Sequence, residues 1–196
     1  VPLSTIEESD VRKRILDVAT ALFADKGYGS TSVREVVEAA GVTKPTLYYY
    51  FANKEALFIE LINMHMDGLD DIIRASLTGV GSIRERLRNF IRAYADGALQ
   101  NKDVVRLMWT CQAPTDHEQP QIDLMSMHMR KIAHMGVLFT EGITSGEFRA
   151  DLDVDYAVRG FIGMVDLHTM AMVHGLPADD DYAVRILDLF YRGVSG

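Results

Sequence analysis

The twelve residues Thr43-Lys44-Pro45-Thr46-Leu47-Tyr48-Tyr49-Tyr50-Phe51-Ala52-Asn53-Lys54 constrain this chain more than any other stretch. Leu47 and Phe51 stand four apart, the spacing of one helix face, so both dock on a core if the segment is helical. Thr43, Lys44, Thr46, Tyr48, Tyr49 and Tyr50 then face mostly outward. Exposed tyrosines cost free energy unless a partner covers them. Tyrosine and threonine hydroxyls beside a lysine charge suit phosphate oxygens and base edges. The segment therefore reads as a DNA-recognition helix. A tyrosine triplet taken alone is more often packing than recognition, so the flanking sequence has to decide.

The flanks favour recognition. Residues 1–9 read as a polar, frayed arm. From Asp10, Ile15, Ala19, Leu22 and Phe23 form an i, i+4, i+7, i+8 stripe that Gly27 ends. Ser32 with Glu35 fits a capping box opening a short second helix, whose inward face is Val33, Val36, Val37 and Ala40. Gly41 makes a sharp turn, Thr43 caps the third helix, and Pro45 sits in its first turn, where a missing N–H does little harm. Short helix, glycine turn, short helix is the helix-turn-helix pattern. Asn53 caps a fourth helix to about Leu77, and Ser82 with Glu85 opens a fifth. A sixth carries Leu107, Met108 and Trp109, with a loop from Pro114 to Pro120 after it. A long seventh runs to about Ser145, Asp153 caps the eighth, and a ninth spans 179–193 behind an acidic start. The expected class is all-α with about nine helices. It divides into a helix-turn-helix head at 1–54 and a larger helical body at 55–196.

Charge separates the same two parts. Net charge is −8, yet the first 54 residues carry seven Lys/Arg against seven Asp/Glu, and the remainder carries 13 against 21. The head alone is fit to approach phosphates, through a few placed groups. The lone Cys111 excludes an intrachain disulfide and suits a reducing cytosol, so a cytoplasmic location is expected. Val1-Pro2-Leu3 shows no signal-peptide character, and no stretch approaches a membrane span.

The head resembles the tetracycline-repressor (TetR) family of bacterial transcription regulators. The resemblance rests on Ala21-Leu22-Phe23, Gly27-Tyr28, Thr31-Ser32-Val33-Arg34-Glu35-Val36, Ala39-Ala40-Gly41-Val42, Thr46-Leu47-Tyr48-Tyr49-Tyr50-Phe51 and Asn53-Lys54-Glu55-Ala56-Leu57. In the body, the turn Glu141-Gly142 to Gly146-Glu147-Phe148-Arg149 is similar too. The resemblance implies a homodimer on a palindromic operator in double-stranded DNA, usually a repressor, released when a small molecule enters the body. Its base-reading and phosphate positions fall on Arg34, Thr43, Lys44, Thr46, Tyr48 and Tyr49, with Tyr50 and Lys54 on further phosphate contacts. For Arg34, a surface ion pair with Glu38 at i+4 is the competing use.

In the body, flexible methionines and aromatic walls suggest an apolar pocket: Phe90, Tyr94, Met108, Trp109, Met125, Met129, Phe139, Phe161 and Met164, with Gln112 or His168 as a polar handle. Core packing is the competing role for each. Dimerisation is assigned to Gly160, Gly163 and Leu167 on the eighth helix and Tyr182, Ile186, Leu189 and Phe190 on the ninth. No histidine pair stands at i, i+4 and no HExxH occurs, so neither metal nor cofactor is expected. No nucleophile–base pair argues for an enzyme. A helical carrier or enzyme with a structural head is one alternative, and a DNA-binding activator without an effector is another.

Overall fold

The computed structural model describes residues 5–112, 119–177 and 179–194, with side chains from Ser9 onward except those of Thr110 and Gln112. Among the described residues there are nine helices and no strand: α1 (Thr5–Lys26), α2 (Val33–Ala40), α3 (Lys44–Tyr50), α4 (Lys54–Leu77), α5 (Ile83–Gln100), α6 (Lys102–Gln112), α7 (Leu124–Thr144), α8 (Val154–Val173) and α9 (Tyr182–Val194). None is long and apolar enough to cross a membrane. The all-α expectation holds, with two corrected boundaries. The arm expected over residues 1–9 is helical from Thr5. The last helix begins at Tyr182 rather than 179, because the Asp179 and Asp181 carbonyls accept the first N–H bonds from Tyr182 and Arg185 and thus precede it. Most of the expected Pro114–Pro120 loop lies outside the described residues.

Contacts divide the chain into two units, Val1–His65 with Asp103–Ile122, and Met66–Lys102 with Asp123–Gly196. In the first, α2 lies against α1 and α3. Phe23 on α1, Tyr28 beyond it and Phe58 on α4 form an aromatic trio with centroids 5.0–5.6 Å apart. Arg12 pairs with Glu60 and covers the Phe51 ring at 5.6 Å, joining α1 to the start of α4.

In the second unit, α5 packs on α7, α8 and α9 around a core rich in phenylalanine: Phe90, Phe139, Phe148, Phe161 and Phe190. Two charged side chains hold its ends. Arg86, 5% exposed, donates to the Ser76 and Leu77 carbonyls that terminate α4 and to Glu141 on α7. Glu147 accepts from the Ile83 and Arg84 amides, closing the N-terminus of α5.

The turn after α7 explains a glycine. A Cβ on Gly142 would stand 2.5 Å from Cδ2 of Phe148, which folds back into the core. At Gly136 a Cβ would meet only Val154 Cγ1 at 3.7 Å. Gly142→Ala should therefore destabilise the protein by about 1–3 kcal/mol through overpacking. Gly136→Ala should stabilise it by up to about 1 kcal/mol, because a helical glycine is unfavourable. Denaturant melts of the two variants check this; equal effects would contradict the Phe148 contact as the cause.

Candidate nucleic-acid interface and effector region

Local chemistry builds the helix-turn-helix. Ser32 and Glu35 form the reciprocal capping box on α2. Gly41 ends α2 at φ 63°, a left-handed conformation open to glycine at little cost, and the Val42 amide reaches back to Val37 O at 3.0 Å. Thr43 then caps α3: its hydroxyl accepts from the Thr46 amide and lies 2.8 Å from the Thr46 hydroxyl. Lys44 is exposed at the first helical position, and Pro45 follows it.

Leu47 is 0% and Phe51 2% exposed, whereas Tyr49 is 72% and Tyr48 49% exposed. One face of α3 is thus anchored and the other presents two phenols beside Lys44. Tyr50 is half-buried, which corrects its expected outward position: it stands three residues from Leu47, toward the anchored face, with its ring 5.0 Å from that of Tyr49. Arg34 is exposed and donates to Glu38 at 2.6 Å, the ion-pair use open to it from sequence. Such a surface pair is weak enough to exchange for a phosphate.

Lys54 does something the sequence did not reveal. Its ammonium donates to the Tyr28 carbonyl at 2.9 Å and the Thr31 carbonyl at 3.1 Å, 4.0 Å from the Tyr28 ring centroid. It clamps the loop between α1 and α2 onto the start of α4. Asn53 Oδ1 accepts the Ala56 amide at 2.7 Å and fixes that start. A lysine ammonium carries three donors, and two are used here.

The pocket residues named from sequence fall in both units. Met108, Trp109 and Gln112 are on α6 in the first unit; the others are in the second. Phe90, Phe139 and Phe161 are buried in the core, with Tyr94 and Met164 packed against it. Met125 and Met129 are exposed, because the core reaches α7 only from about Lys131 onward. His168 stacks on Tyr182 at 5.5 Å, and its Nε2 is buried without a hydrogen-bond partner. The Gln112 side chain lies outside the described residues. A cleft of 420 Å³ lined by Ala21, Leu22, Ala24, Asp25, Asp103 and Arg106 includes none of them.

The residues assigned to a dimer face also divide. Ile186 and Phe190 are buried in the chain's own core, and Tyr182, partly buried, packs against it. Leu167 and Leu189 are exposed, as are Gly160, Gly163 and Tyr156 on α8. Among the described residues no group of three or more His, Cys, Asp or Glu is placed to hold a metal.

Residues 15–61 match the family profile described as bacterial regulatory proteins, tetR family, and residues 80–194 match the tetracyclin repressor-like C-terminal domain. The chain belongs to the TetR family. Among its TetR relatives is the HTH-type transcriptional repressor KstR2 of Mycobacterium tuberculosis, 30% identical over 76% of this chain and 74% of its own length. The solved structure of the ketosteroid transcriptional regulator KstR2 from that organism has a TM-score of 0.72 at 25% identity, covering 94% of this chain and 95% of that one. PfmR from Thermus thermophilus, a TetR-family transcriptional regulator, gives 0.75 at 26% identity, covering 91% and 97%. The fatty acid degradation regulator FadR from Bacillus halodurans gives 0.78 at 22%, covering 93% and 95%, which bears on the fold alone. TetR proteins are transcriptional regulators rather than enzymes, and this chain is a helix-turn-helix transcriptional regulator.

One electrostatic tie inside the helix-turn-helix is open to test. The Glu35 carboxyl is held at about 2, below its ordinary 4.5, first by the Lys26 ammonium and then by the Ser32 amide and hydroxyl. A depressed carboxylate contributes stability above its unfolded value and loses it as pH falls through the folded one. The stability gap between wild type and Glu35→Gln should therefore close as pH drops from 4.5 toward about 2. Thermal melts across that range check it, and a gap independent of pH would contradict the tie.

Proposed function

We propose that this TetR-family regulator is a repressor that binds a palindromic operator as a homodimer and is released by a small, largely apolar effector. Residues 1–54 serve as the DNA-binding domain, and residues 55–196 serve effector binding and dimerisation. The observation that carries the reading is the two-faced α3, with Leu47 buried and Tyr48, Tyr49 and Lys44 outward. Lys44 supplies phosphate charge, and the Thr43 and Thr46 hydroxyls lie at the helix start, where N–H groups also favour an anion. Tyr48 and Tyr49 press on thymine methyls and read base edges. Tyr50 and the remaining donor of Lys54 reach the backbone. Arg34 exchanges Glu38 for a phosphate or a guanine edge. The name of one relative, a ketosteroid transcriptional regulator, supports an apolar effector.

The dimer face we assign is Gly160, Gly163 and Leu167 with Leu189. A Cβ on either glycine would meet nothing within 4 Å inside the chain. Each helical glycine nonetheless costs up to about 1 kcal/mol against alanine. Nothing in the fold of one copy requires them, and close approach of a second copy does. The effector signal travels through α4, which runs unbroken from Lys54 to Leu77 with residues in both units. An effector acts only as far as it prefers one state, whatever its affinity.

Lys44→Ala should weaken binding about equally on the duplex that wild type binds best and on unrelated duplexes, and lower the salt slope by about one. Tyr49→Ala should instead relax base preference. Electrophoretic titrations at several salt concentrations separate the two, and an unchanged Lys44→Ala slope rejects that phosphate contact. The double variant Leu167→Asp, Leu189→Asp should sediment as a monomer; persistence of a dimer places the interface elsewhere.

A further inference from the structure

α5, α7 and α8 bring Tyr94, Lys131 and Asp166 together beside the apolar core of the second unit. Lys131 lies four, seven and eleven residues before Met135, Leu138 and Gly142, on the buried face of α7, and its side chain is 7% exposed. Its ammonium stands 3.1 Å from both carboxylate oxygens of Asp166 on α8 and 5.2 Å from the Tyr94 ring centroid on α5. The Tyr94 hydroxyl donates to Asp166 Oδ1 at 2.6 Å. Burial first, then the Asp166 charge, push the Tyr94 phenol well above its ordinary range, so it remains a donor. Nearby His128 is held below the usual imidazole range, first by burial and then by the Lys131 charge.

Stability is a poor reason for this arrangement, because a buried ion pair is commonly matched or surpassed by apolar side chains of the same volume. The three members are also unequal. The Asp166 side chain is 28% exposed, against 7% for Lys131. The Tyr94 and Lys131 donors converge on one carboxylate, and that carboxylate is more exposed than the ammonium it holds. Once buried, Lys131 requires an anion, since removing its partner leaves an uncompensated charge. Behind the cluster lies a wall of core side chains: the buried Phe90 ring is 5.6 Å from Tyr94 and 6.0 Å from the buried Phe161 ring.

We propose that Lys131 and Tyr94 form a receptor for the carboxylate of an amphiphilic acid, which Asp166 occupies until the acid displaces it. The acid's apolar part lies along the Phe90–Phe161 wall. Displacement turns Asp166 outward and unties α8 from α7 one residue before exposed Leu167, giving the ligand a grip on the proposed dimer face. The inference rests on the reading of the protein as effector-controlled and adds the chemistry of the effector's head group.

The test uses decanoate and decan-1-ol, below micelle formation, as matched anionic and neutral probes on the full chain. In calorimetric titrations wild type should bind decanoate more tightly than decanol. Asp166→Asn removes the internal competitor and should bind decanoate about tenfold more tightly than wild type does, a gain of about 1.4 kcal/mol. It should also melt lower when unliganded and be raised more by decanoate. Lys131→Met should lose the preference for the acid. Equal wild-type response to the two head groups, including none to either, overturns the proposal without requiring any variant to fold. An Asp166→Asn protein no more responsive than wild type overturns it too. Equal release of DNA by both probes removes the receptor but leaves effector control standing. Preferential decanoate binding with unchanged DNA affinity establishes the receptor and removes effector control.

Discussion

Leu47 and Phe51 set the orientation on which the rest of the functional argument depends. α3 has seven residues, too few for its own hydrogen bonds to hold it. Its order comes from the Thr43 cap, the Gly41 turn and the burial of these two side chains. Burying a leucine or phenylalanine side chain is worth about 1.5–3 kcal/mol. Because a helix turns about 100° per residue, fixing Leu47 inward also fixes Tyr48 and Tyr49 outward. Rotating the tyrosines inward would expose Leu47 and strand two phenols without partners, so the presenting face follows from the anchored one.

A second tier of contacts makes that orientation rigid. The Lys54 clamp joins the first loop to α4, the trio of Phe23, Tyr28 and Phe58 fills the space behind it, and Arg12 covers Phe51. These are charges and aromatics spent on holding a backbone, which suits an interface that must meet a stiff duplex in one register. The second unit uses the same device at Arg86, whose guanidinium satisfies the open carbonyls at the end of α4. The Lys131–Asp166 pair differs from both. Among the described residues its hydrogen bonds go to a carboxylate alone, with no backbone carbonyl beside it, and an exchangeable anion is what a switch requires.

Most of the fold was legible in the sequence because its punctuation is local. Capping boxes at Ser32 and Ser82, caps at Thr43, Asn53 and Asp153, and the turn at Gly41 are each decided by a few adjacent residues. The starts of α1 and α9 were misplaced because acidic residues suit the first helical turn and the positions just before it equally well. Side-chain use was less legible, since it depends on which helices meet. Periodicity alone put Ile186 and Phe190 in one stripe with Leu189, and only packing against α5 and α8 divides that stripe into an inner and an outer edge. Tyr50 and Lys54 were read from their chemistry, while their surroundings come from residues more than twenty positions away in the case of Lys54. Lys131 and Asp166 did leave a signal: each interrupts an apolar helix face, Lys131 in line with Met135 and Leu138, and Asp166 in line with Ile162 and Thr169.

Selection of bound duplexes from a random DNA pool, at one fixed moderate salt concentration, tests the central claim most directly. If two outward α3 helices are carried on a symmetric dimer, the recovered sequences will share an inverted repeat, its half-sites spaced by about one DNA turn of roughly 34–36 Å or a multiple of it. Recovery of no shared motif, with binding that disappears as salt rises, would contradict the assignment of α3 as a reader of sequence.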